Sequence, residues 1–314
     1  MNNLSANQLA KDQEITDTPN FTRATLILTA WIATLLLSKL PLVIARDIFG
    51  TDISWIMPAW IGTAALLFIA TYIWQSLKPL RAYFSVLGII WLMAFFAPLV
   101  NQTAIWQNLF SGRSEMVALL GDRVFLILEA FILIAALLLM GAKRQDIFLT
   151  LGDLKAPLGG QASATRRRYL TWPVLGTVIS LLLGGLFLLF LISQNPTALS
   201  NPALVLPWLL LILLNAGLNA FGEEVLFRGA PLGMLLPAIG PKHALWLTSL
   251  WFGLGHYYGG IPSGPVGLIQ SGLLALLMGK AMLDTRGMGW SWIIHVTIDT
   301  AIYTFLALTA VAAV

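Results

Sequence analysis

The chain of 314 residues contains no cysteine and very little charge. The absence of cysteine excludes disulfide bonds, thiolate metal sites and a cysteine nucleophile. Only 10% of the residues are charged, whereas a soluble domain carries about 25%. The hydrophobic residues make up 58% of the chain, more than a soluble fold of this length can bury. The composition therefore predicts a polytopic membrane protein that lies in a lipid bilayer, and it excludes disorder, collagen and soluble nucleic-acid binding.

Long runs of apolar residues are the main feature of the sequence. A bilayer core about 30 Å thick needs about 20 apolar residues per helix. We therefore predict an all-α transmembrane bundle of eight or nine spans. The predicted spans are Ala24–Ala45, Ile53–Trp74, Tyr83–Val100, Val124–Ala142, Trp172–Ser193, Ala203–Phe221, Ala244–Tyr258, Val266–Leu283 and, as the ninth, about Gly289–Val314.

Basic residues and linker composition predict the orientation and the division of the chain. The stretch Lys143–Arg168 holds six lysines and arginines, and Gly152–Ala164 within it is rich in Gly, Pro, Ala and Ser. By the positive-inside rule this loop and the N-terminus are cytoplasmic in a multi-pass plasma-membrane protein. We predict a polar cytoplasmic N-terminus over 1–23, a four-span region over 24–142, a basic cytoplasmic loop over 143–171 and a second membrane domain over 172–314.

A cluster of charges follows a long apolar run in the second half of the chain. Ionisable residues inside apolar spans are costly and mark a functional site by default. Glu224 and Arg228 are four residues apart with the acid first, the favourable spacing for a helical ion pair. Glu223 points about 100° away from Glu224 and has no partner at helical spacing. We predict a structural pair, Glu224 with Arg228, and a free carboxylate, Glu223; an ordinary helix end at the interface is the alternative.

Two histidines in the same half strengthen the functional hypothesis. Phe252 and His256 share one helical face, and so do His295 and Asp299. With Glu223, these residues provide what water activation needs, a base and groups that stabilise an oxyanion. The same carboxylate and imidazole groups (Glu223, His256, His295 and Asp299) are possible zinc ligands.

Two other kinds of protein are alternatives to an enzyme. A proton- or ion-coupled transporter relays protons through intramembrane carboxylates and histidines, and a non-catalytic membrane scaffold would not use them chemically. In the first half of the chain, we expect Lys39 to snorkel toward an interface. We interpret Glu129 as structural, with a helix partner or in the protonated state.

The motifs resemble those of the CPBP family, the CaaX-type, Abi and bacteriocin-processing intramembrane proteases. The resemblance covers about residues 203–303, and its motifs are Glu223-Glu224-x-x-x-Arg228, Phe252-x-x-x-His256 and His295-x-x-x-Asp299. It implies an endopeptidase, of metalloprotease or glutamate type, that cleaves a membrane-associated or lipidated peptide or protein.

Residue by residue, the resemblance implies roles at this site. Glu223 matches the general base, His256 the histidine that positions water, and Glu224 with Arg228 the structural pair. His295 and position 299 match a pair proposed as an oxyanion hole or as metal ligands. Eukaryotic CaaX proteases carry asparagine where this chain has Asp299, and an ionised aspartate cannot donate a hydrogen bond. Asp299 is therefore protonated, orients His295 or helps to hold a metal.

Overall fold

The computed structural model describes residues 20–160, 170–200 and 202–312. Within these residues the chain is all-helical, as predicted, and nine helices have 15 residues or more. They are α1 (Asn20–Leu36), α2 (Ile56–Ile73), α3 (Arg81–Asn101), α4 (Glu115–Leu139), α5 (Trp172–Gln194), α6 (Leu209–Glu223), α7 (Ala230–Gly259), α8 (Gly264–Thr285) and α9 (Gly289–Ala312).

The number of membrane spans differs from the prediction. In the described residues, six helical stretches are long and apolar enough to cross a membrane, or up to seven if the bent pair Arg23–Leu36 and Leu40–Ile48 is one span. The predicted count of eight or nine is not confirmed. Helix α4 is not among the six, and it carries Asp122, Arg123 and Glu129. Two predicted spans fall into the single helical stretch Val205–Gly259.

This 55-residue stretch is folded back on itself, so that the ring centroids of Phe227 and Phe252 lie 5.9 Å apart. A straight helix of that length would measure about 80 Å, far more than a bilayer core. A π-helical segment, Glu224–Gly229, interrupts it after α6, and Gly240 breaks α7 with a φ of 80°. Glycine has no Cβ and adopts this backbone conformation without strain. The connection Gly229–Pro241 between the two predicted spans is helical for most of its length, and most of it is buried inside the bundle.

Packing of the long helices brings three of them together around the predicted site. Helix α9 packs between α5 and α6, and α7 packs against α8 and α1. Helix α4 packs on α6, so the first half of the chain closes one side of the site. As a result, the C-terminal end of α6, the second half of α7 and the first turns of α9 face one another.

The loop before α5 is held against the turn between α8 and α9. The Met288 amide donates to the Thr150 carbonyl oxygen at 2.8 Å. The predicted linker Gly152–Ala164 begins two residues after Thr150. The structure describes it up to Gly160, and residues 161–169 lie outside the described residues. Three of the six basic residues of the predicted cytoplasmic loop, Arg166, Arg167 and Arg168, lie outside them too, and the division of the chain at 143–171 stays a prediction.

Candidate active site

Glu224 is the most heavily bonded side chain of the site. It is fully buried at the start of the π-helical segment. Arg228 Nη1 donates to its Oε1, and Ser291 Oγ donates to its Oε2. His295 Nδ1 donates to Oε1 at 2.7 Å. The structure thus brings Glu224 and Arg228 together as the spacing predicted, and it adds two donors from α9 that the spacing did not predict.

His295 is held in one orientation by this contact. A carboxylate can only accept, so Nδ1 carries the proton that points at Glu224. The other ring nitrogen, Nε2, then faces two further carboxylates: Glu223 Oε2 at 3.5 Å and Asp299 Oδ1 at 3.7 Å. His295 is buried, with 5% of its surface exposed. Glu223 is therefore next to an oriented imidazole, although the two lie far apart in the sequence.

Asp299 also contacts a side chain of α6, which in turn contacts a side chain of α4. Asn219 Nδ2 donates to Asp299 Oδ2 at 2.8 Å, and Arg123 Nη1 donates to Asn219 Oδ1. Since a guanidinium group can only donate, Asn219 must present its oxygen to Arg123 and its nitrogen to Asp299. This relay fixes the direction of the Asn219 amide and keeps a donor on Asp299.

His256 and Phe252 lie on α7 and line the same cavity as Glu223. His256 is half-buried, and its Nδ1 donates to the Phe252 carbonyl oxygen at 3.0 Å. The Phe252 ring centroid lies 4.3 Å from that of His256 and 6.4 Å from that of His295. The Arg228 guanidinium lies over the same ring, with Cζ 4.0 Å from the centroid. Phe252 thus packs against the buried ion pair and separates the two histidines.

Glu223 and His256 line one cavity of about 300 Å³. Glu223 leaves 17% of its side chain exposed, whereas His295 and Asp299 are buried behind it. Lys39 and Glu129 line the same cavity from the first half of the chain. A larger apolar groove of about 530 Å³ between α5, α8 and α9 contains none of the predicted site residues. The smaller cavity is therefore the one that the predicted site residues Glu223, Phe252 and His256 line.

Comparison with known proteins identifies the same part of the chain. Residues 205–301 match the family of type II CAAX prenyl endopeptidases, Rce1-like. This segment matches the CPBP/CAAX protease family. All seven residues of the three motifs lie inside the Rce1-like segment, and the resemblance predicted from them is confirmed. Curated proteins and solved structures give no match.

The Rce1-like segment does not assemble a metal site from its candidate ligands. Among residues 20–160, 170–200 and 202–312, no group of three or more His, Asp or Glu side chains is placed to hold a metal ion. Both histidines use Nδ1 as a hydrogen-bond donor, His295 to Glu224 and His256 to a backbone carbonyl, which leaves each Nε2 available. As placed, these side chains do not form a set of metal ligands.

Three residues of the network escaped the sequence analysis: Asn219, Ser291 and Arg123. Two of them carry a signal in retrospect. Asn219 precedes Glu223 by four residues in an apolar helix, and Ser291 precedes His295 by four, so each lies on the helical face of a predicted site residue. Arg123 carries no such signal, because it acts from a distant helix through Asn219.

The structure gives surroundings for the two charges in the first half. Lys39 lies at the cavity wall, where its Nζ is 5.1 Å from the ring centroids of both Trp60 and Trp91, and its reach toward an interface stays a prediction. Glu129 has no helix partner, since no hydrogen bond or ion pair holds its carboxyl group in the part of the chain that the structure describes. Both residues belong to the cavity that contains Glu223.

Proposed function

We propose that this protein is an intramembrane endopeptidase that hydrolyses a peptide bond of a membrane-associated or lipidated substrate. One observation carries the proposal: the Glu223 carboxylate, at the wall of a cavity, lies 3.5 Å from an imidazole that Glu224 orients. The family match at residues 205–301 supports the reaction class. The several apolar helices support a multi-pass membrane protein, and the plasma membrane with a cytoplasmic N-terminus is our proposal for its place.

The geometry supports water activation by two acceptors. Because His256 donates Nδ1–H to the Phe252 carbonyl, its neutral ring offers Nε2 as an acceptor to the cavity. A water molecule there has two protons, one for His256 Nε2 and one for Glu223. Glu223 acts as the general base, and His256 holds the water in place.

The reaction then follows the usual course of peptide hydrolysis. Glu223 takes a proton from the water as its oxygen bonds to the substrate carbonyl carbon, and the carbonyl oxygen becomes the oxyanion of a tetrahedral intermediate. The intermediate collapses, the carbon–nitrogen bond breaks, and Glu223 returns its proton to the leaving amine. His295 keeps the Glu223 carboxylate facing the cavity, and Asp299 supports His295 from behind.

Glu223→Gln tests this proposal in the purified full-length protein reconstituted in liposomes with a peptide substrate. The change keeps the size of the side chain and removes the base. General base catalysis is worth about 10²–10⁴-fold in rate, so kcat should fall by at least about a hundredfold with the melting temperature preserved. The matched control is Glu115→Gln, which changes an exposed carboxylate at the start of α4.

Two outcomes would overturn the assignment. A loss of less than about tenfold in Glu223→Gln is too small for a general base. No cleavage by the unaltered protein, together with proton-gradient-driven transport that Glu223→Asp retains, would favour the transporter instead. A scaffold should tolerate Glu223→Gln in every assay.

A further inference from the structure

A second cavity adjoins the one that contains Glu223. It has a volume of about 180 Å³ and lies between α3 and α4; we call it the α3–α4 cavity. Ala94 and Glu129 line both cavities, so these two side chains form the junction at which one cavity borders the other. Asn101, Asp122 and Arg123 line the α3–α4 cavity farther along the same two helices. A line of polar side chains thus runs between apolar helices toward the proposed base.

Several polar atoms along this line have no protein partner. Asn101 Oδ1 and Arg123 Nε are buried and make no hydrogen bond in the described residues. Glu129 is 8% exposed, and in the same part of the chain nothing bonds to its carboxyl group. Buried polar atoms in native proteins nearly always bond to protein or to ordered water. A cavity lined by two to four such atoms, and large enough for a water molecule, is a hydrated cavity.

We infer that the α3–α4 cavity is a water path, and that Glu129 is the positioning residue that passes water from it to Glu223. The inference rests on the proposed function, because hydrolysis consumes one water molecule for every peptide bond that it breaks. Hydrocarbon surrounds the bundle and does not supply that water. Glu129 accepts hydrogen bonds from water on both sides of the junction, and the small side chain of Ala94 leaves the junction open.

The path can be tested without a substrate, because the chain has no cysteine. A charged, water-soluble methanethiosulfonate reagent modifies thiolates and so reports on water at a single introduced cysteine. Ala94→Cys places the thiol at the junction. Phe95→Cys is the matched control: it lies one residue further along α3, and the native side chain is 43% exposed on the lipid-facing surface of the bundle. In full-length protein in phosphatidylcholine liposomes, Ala94→Cys should react at least tenfold faster than Phe95→Cys.

The role of Glu129 needs a second pair of variants on the Ala94→Cys background. Glu129→Leu replaces the carboxyl group by an apolar side chain of similar size, and it should slow labelling at the junction by at least tenfold. Glu129→Gln keeps the polar atoms and should restore the labelling rate. In the peptide assay Glu129→Leu should lower kcat about tenfold and leave KM within twofold, since the change affects the supply of water and not the binding of the substrate.

Equal labelling of Ala94→Cys and Phe95→Cys would overturn the water path, and equal labelling with Glu129→Leu and Glu129→Gln would overturn the role of Glu129. A change in KM alone would make Glu129 a substrate-binding residue and would also overturn its role. The labelling needs no catalysis, so its result is independent of the proposed peptidase activity. An inactive protein in which Ala94→Cys still reacts would refute only the peptidase.

Discussion

Removal of the buried cation at Arg228 should destabilise the protein far more than removal of an exposed one. Arg228 is 1% exposed, donates to Glu224 and covers the Phe252 ring. Arg228→Met keeps the length of the side chain and removes its charge, so the Glu224 carboxylate stays buried without the guanidinium group. Breaking a buried ion pair in this way costs about 3–5 kcal/mol. At about 2–4 °C per kcal/mol, the melting temperature should fall by about 6–20 °C.

The chain offers a matched control with the same spacing. Lys280 donates to Asp284, also four residues away, but 45% of the Lys280 side chain is exposed. Asp284 keeps two other donors, the Gly159 amide at 2.9 Å and Trp172 Nε1 at 3.2 Å. Exposed pairs contribute about 0–1 kcal/mol. Lys280→Met should therefore lower the melting temperature by less than about 4 °C.

Thermal melts of the detergent-solubilised protein, followed by the fluorescence of its 12 tryptophans, measure both changes. The double variant Glu224→Gln/Arg228→Met separates stability from activity. Arg228 Nε and Nη2 have no hydrogen-bond partner in the described residues, so the native pair does not fully offset its desolvation. The double variant should recover much of the stability but not the activity, because His295 loses its carboxylate. If Arg228→Met melts like Lys280→Met yet no longer cleaves peptide, Arg228 binds substrate and the reasoning is refuted.

Three further predictions concern the network, the orientation and metal. Asn219→Leu removes the donor to Asp299, a hydrogen bond to a charged group worth about 1.5–3 kcal/mol, so kcat should fall about 10–100-fold; an unchanged kcat would show that Asp299 needs no support. A reporter fused in the Gly152–Ala164 loop should be cytoplasmic and one in Ser193–Asn201 external, and the reverse pattern would invert the topology. A chelator should leave peptide cleavage unchanged, whereas a loss that added Zn²⁺ restores would establish a metal enzyme.

Local spacing predicted those parts of the site that a single helix determines. Glu224 and Arg228 meet because residues four apart are neighbours on one helical face, and His295 lies near Asp299 for the same reason. The all-α fold followed from hydrophobic runs that no soluble domain could bury. The roles assigned to these residues stay proposals, since their catalytic function depends on the reaction rather than on their spacing.

Contacts between helices lay beyond that reasoning. Ser291 and His295 both reach Glu224 only because α9 packs against the end of α6. The span count was not confirmed for a related reason: hydropathy does not show that Gly240 breaks a helix inside the bundle rather than at its surface. The sequence did not place Glu129 beside Glu223, because their cavity is lined by four helices (α3, α4, α6 and α7) from both halves of the chain, and no periodicity in one helix indicates that.

The aspartate at position 299, where eukaryotic CaaX proteases carry asparagine, fits the network around it. Both of its oxygens face donors or a ring nitrogen: Oδ2 accepts from Asn219, and Oδ1 lies 3.7 Å from His295 Nε2. Arg123 holds the Asn219 amide in the direction that makes this possible. An ionised carboxylate so placed accepts hydrogen bonds and has none to give to an oxyanion. Of the three alternatives for Asp299, we propose the one in which it orients His295: Glu224 holds Nδ1, Asp299 lies near Nε2, and Asp299 is then a positioning residue that acts on Glu223 through the imidazole.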